Sequence, residues 1–162
     1  MASEPPVVAF RLPSGWTRAE PAPTQGGAPD FIAVHARTDD GFTPNITVGT
    51  RAAEASLDQL ADDAVAQLTA TQTDVVVRRR QPLGHEPAPG LAQELTFTTT
   101  LDGHDVAITQ QQVLLTLTAP ADGEGRVLYV ATFTTTTRTV SKLAPDFLAM
   151  VRSLRPEPSP HR

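Results

Sequence analysis

The sequence predicts an α+β domain, and three observations carry that prediction. A capped apolar stripe at helical spacing begins at Leu57, four extended runs follow it in succession, and a second amphipathic helix closes the chain from Leu143. Strands gathered in one block with helices on either side of it in sequence fit an antiparallel twisted sheet of about six strands with helices packed on it as an α/β/α sandwich.

Ahead of the first helix, Val7, Val8 and Phe10 read as a strand that stops at Pro13-Ser14-Gly15, a turn signal, and Trp16 begins a second extended piece. Glu20 to Pro29 (EPAPTQGGAP) is a loop by composition and a candidate mobile flap. Phe31 to His35 and Ile46 to Thr50 are rich in β-branched residues, and the turn signal at Asp39-Asp40-Gly41 makes them an antiparallel pair.

Ser56 followed three residues later by Gln59 is a capping-box signature, each side chain expected to satisfy the other residue's free amide. Leu57, Leu60, Ala61, Ala64, Val65 and Leu68 then form one apolar stripe, with Asp58, Asp62 and Asp63 off it. Asp58 sits in the first turn, where the helix dipole favours a negative charge.

The extended runs are Val75 to Leu83, Leu91 to Leu101, Val106 to Thr118 and Arg126 to Thr135. Leu91, Leu95, Phe97 and Leu101 share one parity, while Glu94, Thr96, Thr98 and Thr100 share the other, so one face is expected buried and one polar. Asp102-Gly103 is a strong hairpin signal that places Leu101 and Val106 on adjacent strands. In the third run the apolar parity changes from Val106 and Ile108 to Val113, Leu115 and Leu117, which predicts a β-bulge near Gln110 to Gln112. TFTTT at 96–100 and TFTTTT at 132–137 read as neighbouring strands with the same polar face. The closing helix, Leu143 to Leu154, carries Leu143, Phe147, Met150, Val151 and Leu154 on one side, with Pro145 expected in its first turn.

The 162 residues fit a single core. Residues 1–6 and the Pro-rich 155–162 are expected to be mobile or disordered, leaving one domain over 7–154. There is no Cys, which excludes disulfides, thiolate zinc sites and a cysteine nucleophile. A net charge of −5 opposes attraction to phosphate backbones and anionic membranes, so no nucleic-acid partner is expected. No signal-like or membrane-spanning apolar run is present, and stable membrane insertion is not expected. Together with the missing lipid-anchor cysteine, this predicts a soluble, cytoplasmic protein.

Several motifs carry a resemblance to a known family. FRLPSGW (Phe10 to Trp16), Phe42-x-Pro44-Asn45 entering a strand, Leu57 of the first helix and the closing Phe147-x-x-Met150-Val151-x-Ser153-Leu154-Arg155 resemble the PsbP-like fold (the Mog/PsbP superfamily). Within it the chain is similar to the actinobacterial LpqN/LpqT family, over most of residues 7–155. The resemblance implies a non-enzymatic domain acting through a surface or groove, with accessory, assembly or chaperone-like roles around secretion systems or membranes. Many actinobacterial members carry a signal peptide and a lipid-bearing cysteine, which this chain lacks.

Chemistry-bearing residues form no catalytic group in the sequence. No G-x-S-x-G occurs, and the serines fall in turns, helix ends and tails. Asp102, His104 and Asp105 read as a hairpin turn before they read as metal ligands, and His85-Glu86 as an exposed loop. His35 reads as a partly buried, hydrogen-bonded histidine. Gly26-Gly27 and Gly123-x-Gly125 lack a following P-loop Lys. No enzyme activity, cofactor or metal is expected.

The expected partner is another protein, bound by a monomer or weak homodimer. The candidate partner-binding residues are Trp16, Arg78, Arg80, Thr96, Thr98, Gln110, Gln112, Thr132 and Thr134, a Thr- and Gln-rich strand surface with flanking basic and aromatic groups. Strand alternation sends Arg78 and Arg80 to one face and Arg79 to the other. The function expected is a protein-binding adaptor or chaperone-like accessory domain linked to secretion or envelope assembly. The alternative is a carrier of a small apolar ligand, with a pocket between sheet and helices left unfilled by Phe97, Phe133, Phe147 and Met150.

Overall fold

Apolar side chains on both faces of the central strands, a helix over each face, and a shift of the apolar parity partway along one strand set this architecture. In the computed structural model the described residues are 8–9, 11–19, 31–36, 41–52, 56–85, 88–118, 126–153 and 155–156. The elements run β1 (Val8–Ala9), β2 (Trp16–Ala19), β3 (Phe31–His35), β4 (Asn45–Ala52), α1 (Leu57–Thr71), β5 (Thr73–His85), β6 (Ala88–Leu101), β7 (His104–Thr118), β8 (Arg126–Thr136), α2 (Val140–Ser153) and β9 (Arg155–Pro156). The Glu20 to Pro29 loop, Asp39-Asp40, Glu86, both Gly pairs, Phe10, Leu154 and segments 1–6 and 157–162 lie outside the described residues.

The α+β class holds, with seven strands in the main sheet where about six were expected. Their order is β2-β3-β4-β8-β7-β6-β5, all pairs antiparallel. The extra elements at the ends are short: β1 pairs with β9, Val8 opposite Pro156 and Ala9 opposite Arg155. Arg155 and Pro156, assigned by composition to the tail, therefore form a strand.

The β-bulge expected near Gln110 to Gln112 is absent. β7 keeps one unbroken register with β6, from Gly90 opposite Leu115 to Leu101 opposite His104, and one with β8. The apolar parity changes because both faces of β7 are covered. Val106, Ile108 and Leu114 face α1, while Val113 and Leu115 face α2. The irregularity lies in β5 instead, where the register against β6 shifts between Thr73 and Val76 and again between Val77 and Arg79. Asp74 takes a left-handed conformation (φ 58°) at the first of these. The extra residue at Arg78 breaks the alternation expected of the arginines. Arg78 bonds Thr96 and Arg79 lies opposite Glu94, both on the α2 face, whereas Arg80 turns to the α1 face.

The two Thr-rich segments are not neighbours, since β7 runs between β6 and β8. Their faces also differ: Phe97 packs on the α1 side with Val106 and Ile108, and Phe133 on the α2 side with Phe147. Phe133 and Phe147 stack with centroids 5.4 Å apart, an arrangement worth about 0.5–1.5 kcal/mol beyond the area it buries. Asp102 and Gly103 both have positive φ (50° and 84°), the two-residue turn that matches strand twist.

Helix α1 starts as the cap signature requires, Ser56 Oγ accepting from the Gln59 amide at 3.1 Å. The reciprocal half of the box does not form, because the Gln59 side chain donates to Asp63 instead. Helix α2 begins at Val140, earlier than expected, since Thr139 hydrogen-bonds back to Thr136 and accepts from Lys142 and Leu143. Pro145 consequently falls past the first turn, on an exposed position of the helix. Leu143, Phe147 and Met150 bury the expected side of α2.

Candidate functional site

The two helices cover the sheet unequally. On the α2 face, Trp16, Ala33, Ile46, Val48, Val113, Ala131 and Phe133 close with Leu143, Phe147 and Met150 into a continuous core. On the α1 face, Ala61 is fully buried, but Leu57, Leu60, Ala64, Val65 and Leu68 of the same stripe are only half-buried. α1 rests on β5 and β6, and a half-open cleft of about 360 Å³ separates it from β7 and β8. Leu60, Ala64 and Leu68 form the helix wall; Leu114, Leu128 and Val130 form the apolar part of the floor. Asp63, Gln67 and Thr71 stand at the rim.

A ladder of side-chain amides crosses the floor. Arg80 Nε donates to Gln93 Oε1 at 3.0 Å, and Gln93 Nε2 donates to the Ala61 carbonyl at 3.2 Å and to Gln112 Oε1 at 2.6 Å. Gln112 Nε2 then donates to Gln110 Oε1, and Gln110 Nε2 to Thr134 Oγ1 at 3.1 Å. Two groups of fixed polarity set the direction of the ladder. A guanidinium only donates and a carbonyl only accepts, so Gln93 has one orientation, and each following amide is turned in sequence. Gln93 is 2% exposed and Gln112 6%. Asp62 anchors the far side of Arg80 through an ion pair of 2.8 Å.

The nine residues expected to form one binding surface occupy two faces and a core. Gln110, Gln112, Thr132 and Thr134 lie together under or beside α1, the first three lining the cleft. Arg80 serves that face through Gln93. Thr96 and Thr98 point to the opposite face with Arg78, whose Nε donates to Thr96 at 2.9 Å. Trp16 is 6% exposed and presents no free ring; its edge meets His35 at 5.0 Å between centroids. Half-buried His35 sits against that indole, and Asp105 accepts from Thr100, within the hairpin. Among the described residues no three His, Asp or Glu side chains group as metal ligands would.

Gln93 and the wall residues Leu60, Ala64 and Leu68 were not singled out as site residues. The signal for Gln93 was present: it is the polar exception within the apolar parity Leu91, Leu95, Phe97. Nothing in the stripe of α1 distinguishes a helix wall left half-open from one fully packed.

A seven-stranded antiparallel sheet with a helix on each face defines an α+β sandwich of the PsbP-like class, and solved structures agree. The fold matches LpqN of Mycobacterium tuberculosis, involved in cell envelope biogenesis, with a TM-score of 0.65 at 11% identity over 95% of this chain and 85% of that one. It also matches cyanobacterial PsbP (CyanoP) from Synechocystis sp. PCC 6803, with a TM-score of 0.61 at 10% identity over 93% and 86%. A third match is PA94 of Pseudomonas aeruginosa, a protein of unknown function described as a putative regulator, with a TM-score of 0.57 at 12% identity over 90% and 100%. The chain has the PsbP-like fold. No family model and no curated sequence matches it. Among the described residues, no helix is long and apolar enough to cross a membrane.

Proposed function

We propose that this domain is a non-catalytic accessory module that binds another protein, with the cleft under α1 as the seat of the partner. The observation that carries this reading is on the α1 face: apolar helix residues stay half-buried above a hydrogen-bonded polar floor around a cleft of about 360 Å³, where the cleft beside Phe147 and Leu148 on the α2 face has about 230 Å³. LpqN works in envelope biogenesis and PA94 is a putative regulator. Neither description names a reaction, which supports an accessory role, and the first gives no support to a cytoplasmic location.

The test is photo-crosslinking from the source organism's extract with a photoreactive residue at Gln67 on the rim or at Leu148 on α2. A partner crosslinked from position 67 alone, and lost when Ala64→Trp fills the cleft, supports the reading. Equal crosslinking from both positions overturns it.

A carrier of a small apolar ligand is the second reading, favoured by the apolar walls of the same cleft. Phe97, Phe133, Phe147 and Met150 are all buried, and the apolar walls Leu60, Ala64, Leu68, Leu114, Leu128 and Val130 would seat such a ligand under α1. Stabilisation by lipids in thermal-shift screening, with no protein crosslinked, would favour it.

A further inference from the structure

The stretch Arg11 to Ser14, part of the motif whose far end seats Trp16, meets the last turn of α2 around an open groove of about 530 Å³. Arg11 and Ser14 line it from the loop, Arg152 lines it from the helix, and Leu12, Pro13 and Ala149 give it an apolar side. Among the described residues no Asp or Glu lines this groove, although the chain carries 18 acidic side chains against 13 Lys and Arg. Asp146, one turn before Ala149 and Met150, is taken by the Trp16 indole. Neither guanidinium, nor the Ser14 hydroxyl, has a hydrogen-bonding or ionic partner among the described residues. Arg152 complements the dipole at the end of α2, but that does not account for Arg11.

The two arginines come from separate elements that are tied together. The Arg11 amide donates to Ser153 Oγ at 2.7 Å, and Ser153 Oγ donates to the Met150 carbonyl at 2.7 Å. At the other end of the loop the Trp16 amide donates to the Pro13 carbonyl at 3.3 Å, and Leu12 packs against the α2 core between these bonds. The backbone carrying Arg11 and Ser14 is therefore fixed against α2 before a ligand arrives, and only exposed side-chain ends remain to be ordered.

Two guanidiniums bring two permanent positive charges and two planar forks of donors, to which the Ser14 hydroxyl can add one more. A phosphate monoester answers both counts. Above its second pKa of about 6 its charge approaches −2, and its terminal oxygens accept bidentate bonds from arginine. A carboxylate brings one charge and would leave the second guanidinium uncompensated. The apolar side of the groove suits the organic body of an ester.

We propose that this groove binds a phosphate monoester carried on an apolar body, with Arg11 and Arg152 clasping the phosphate and Leu12, Pro13 and Ala149 flanking the body. The site is separate from the cleft under α1 and does not depend on what that cleft holds.

The test titrates phenyl phosphate and phenyl sulfate, probes of similar shape and different charge, into the isotope-labelled intact chain at about pH 7.5, where the phosphate is doubly charged. Phenyl phosphate is expected to shift the amide signals of Leu12, Ser14, Arg152 and Ser153 saturably, with phenyl sulfate at least about fivefold weaker. Arg11→Gln and Arg152→Gln should each weaken phenyl phosphate about tenfold. Arg18→Gln removes the same charge outside the groove and should change the affinity less than about twofold. All three arginines are exposed, so the variants should unfold at the parent's midpoint. A second arm separates the sources of the ester: sedimentation with phosphatidylcholine vesicles containing phosphatidic acid, displaced by phenyl phosphate, supports the site with a lipid headgroup as its ligand. Saturable phenyl phosphate binding without sedimentation supports it with a soluble ester.

No saturable shift, equal affinity for the two probes, or sedimentation that phenyl phosphate does not displace would overturn the proposal. Equal losses from Arg11→Gln and Arg18→Gln would also overturn it, reducing the binding to the general field of surface charge.

Discussion

The indole N–H of Trp16 donates to the Asp146 carboxylate at 3.0 Å, joining the edge strand β2 to α2 across 130 residues of sequence. The ring itself is wedged edge-on between His35 at 5.0 Å and Phe133 at 6.0 Å. Gly15, with φ of 93°, makes the turn that delivers it there, and an added Cβ would lie 3.0 Å from His35 Nε2. The motif at Leu12 to Trp16 is thus a latch that holds the outermost strand to the closing helix.

Trp16→Phe keeps an aromatic plug but removes the donor, leaving a half-buried carboxylate without it. The expected loss is about 1–3 kcal/mol in denaturant unfolding. Asp146→Asn retains an acceptor oxygen and should cost clearly less. Equal losses from the two changes would mean that the carboxylate's charge, and not this bond, holds α2 to β2.

The buried amide should matter more than the visible ion pair. Gln93→Leu strands the Arg80 Nε–H and Gln112 Oε1 in or near the core and removes a second bond to the Ala61 carbonyl, at an expected cost of about 1–3 kcal/mol. Asp62→Ala removes the ion pair with Arg80, but its side chain is 63% exposed and the expected loss is about 0–1 kcal/mol. Urea titrations of the two variants in parallel decide the order. An Asp62→Ala loss as large as that of Gln93→Leu would show that Arg80 depends on its charge partner to hold the ladder.

Much of the fold is legible from local chemistry alone. Ser56 caps α1, Asp102-Gly103 turns the hairpin, and the strand limits of β6, β7 and β8 fall within a few residues of the alternating runs. What stays hidden is which layer a parity faces. A change of parity along 106–117 reads equally as a bulge or as a strand covered on both sides, and only the second helix's position separates them. Of the two irregularities in β5, the one at Arg78 lies in a run of three identical residues where alternation leaves no trace. The candidate binding residues do not share one face for the same reason: Thr96 and Thr132 look alike in sequence and face opposite ways. Gln110, Gln112 and Thr132 were recognisable as a group because a single strand pairing aligns them, while the half-open wall of α1 depends on how far the helix stands from the sheet.

Two glycines in the sheet should respond oppositely to the same substitution. A Cβ on Gly90 would lie 2.8 Å from Leu115 Cδ2 and 2.9 Å from the Leu114 carbonyl oxygen, which belongs to the backbone and cannot swing aside. Gly90→Ala is expected to cost about 1–3 kcal/mol through a forced separation of β6 from β7. At Gly49 nothing lies within 4 Å of the added atom, so Gly49→Ala should be neutral or stabilise by up to about 1 kcal/mol by restricting the unfolded chain. Thermal unfolding of both variants tests the pair. A Gly90→Ala protein as stable as the parent would mean that β6 and β7 can part at that position without loss.

Tyr129, 1% exposed, gives the fold an alkaline limit. Burial raises its phenol above the ordinary value of 10.0, because the charged form would lose its hydration in the core. The folded chain therefore holds this proton more tightly than the unfolded chain does. That contribution is fully present below the unfolded value and is lost as pH rises through the higher folded-state value. The unfolding midpoint should fall as pH climbs past about 10, more steeply than in Tyr129→Phe, which has no phenol to ionise. Lys142, the only lysine, is exposed and present in both proteins, so the difference between the two slopes isolates the tyrosine. Any loss that Tyr129→Phe suffers at neutral pH from its missing hydroxyl displaces the whole curve without changing that slope. Parallel curves above pH 10 would show that the Tyr129 proton does not contribute to folding stability.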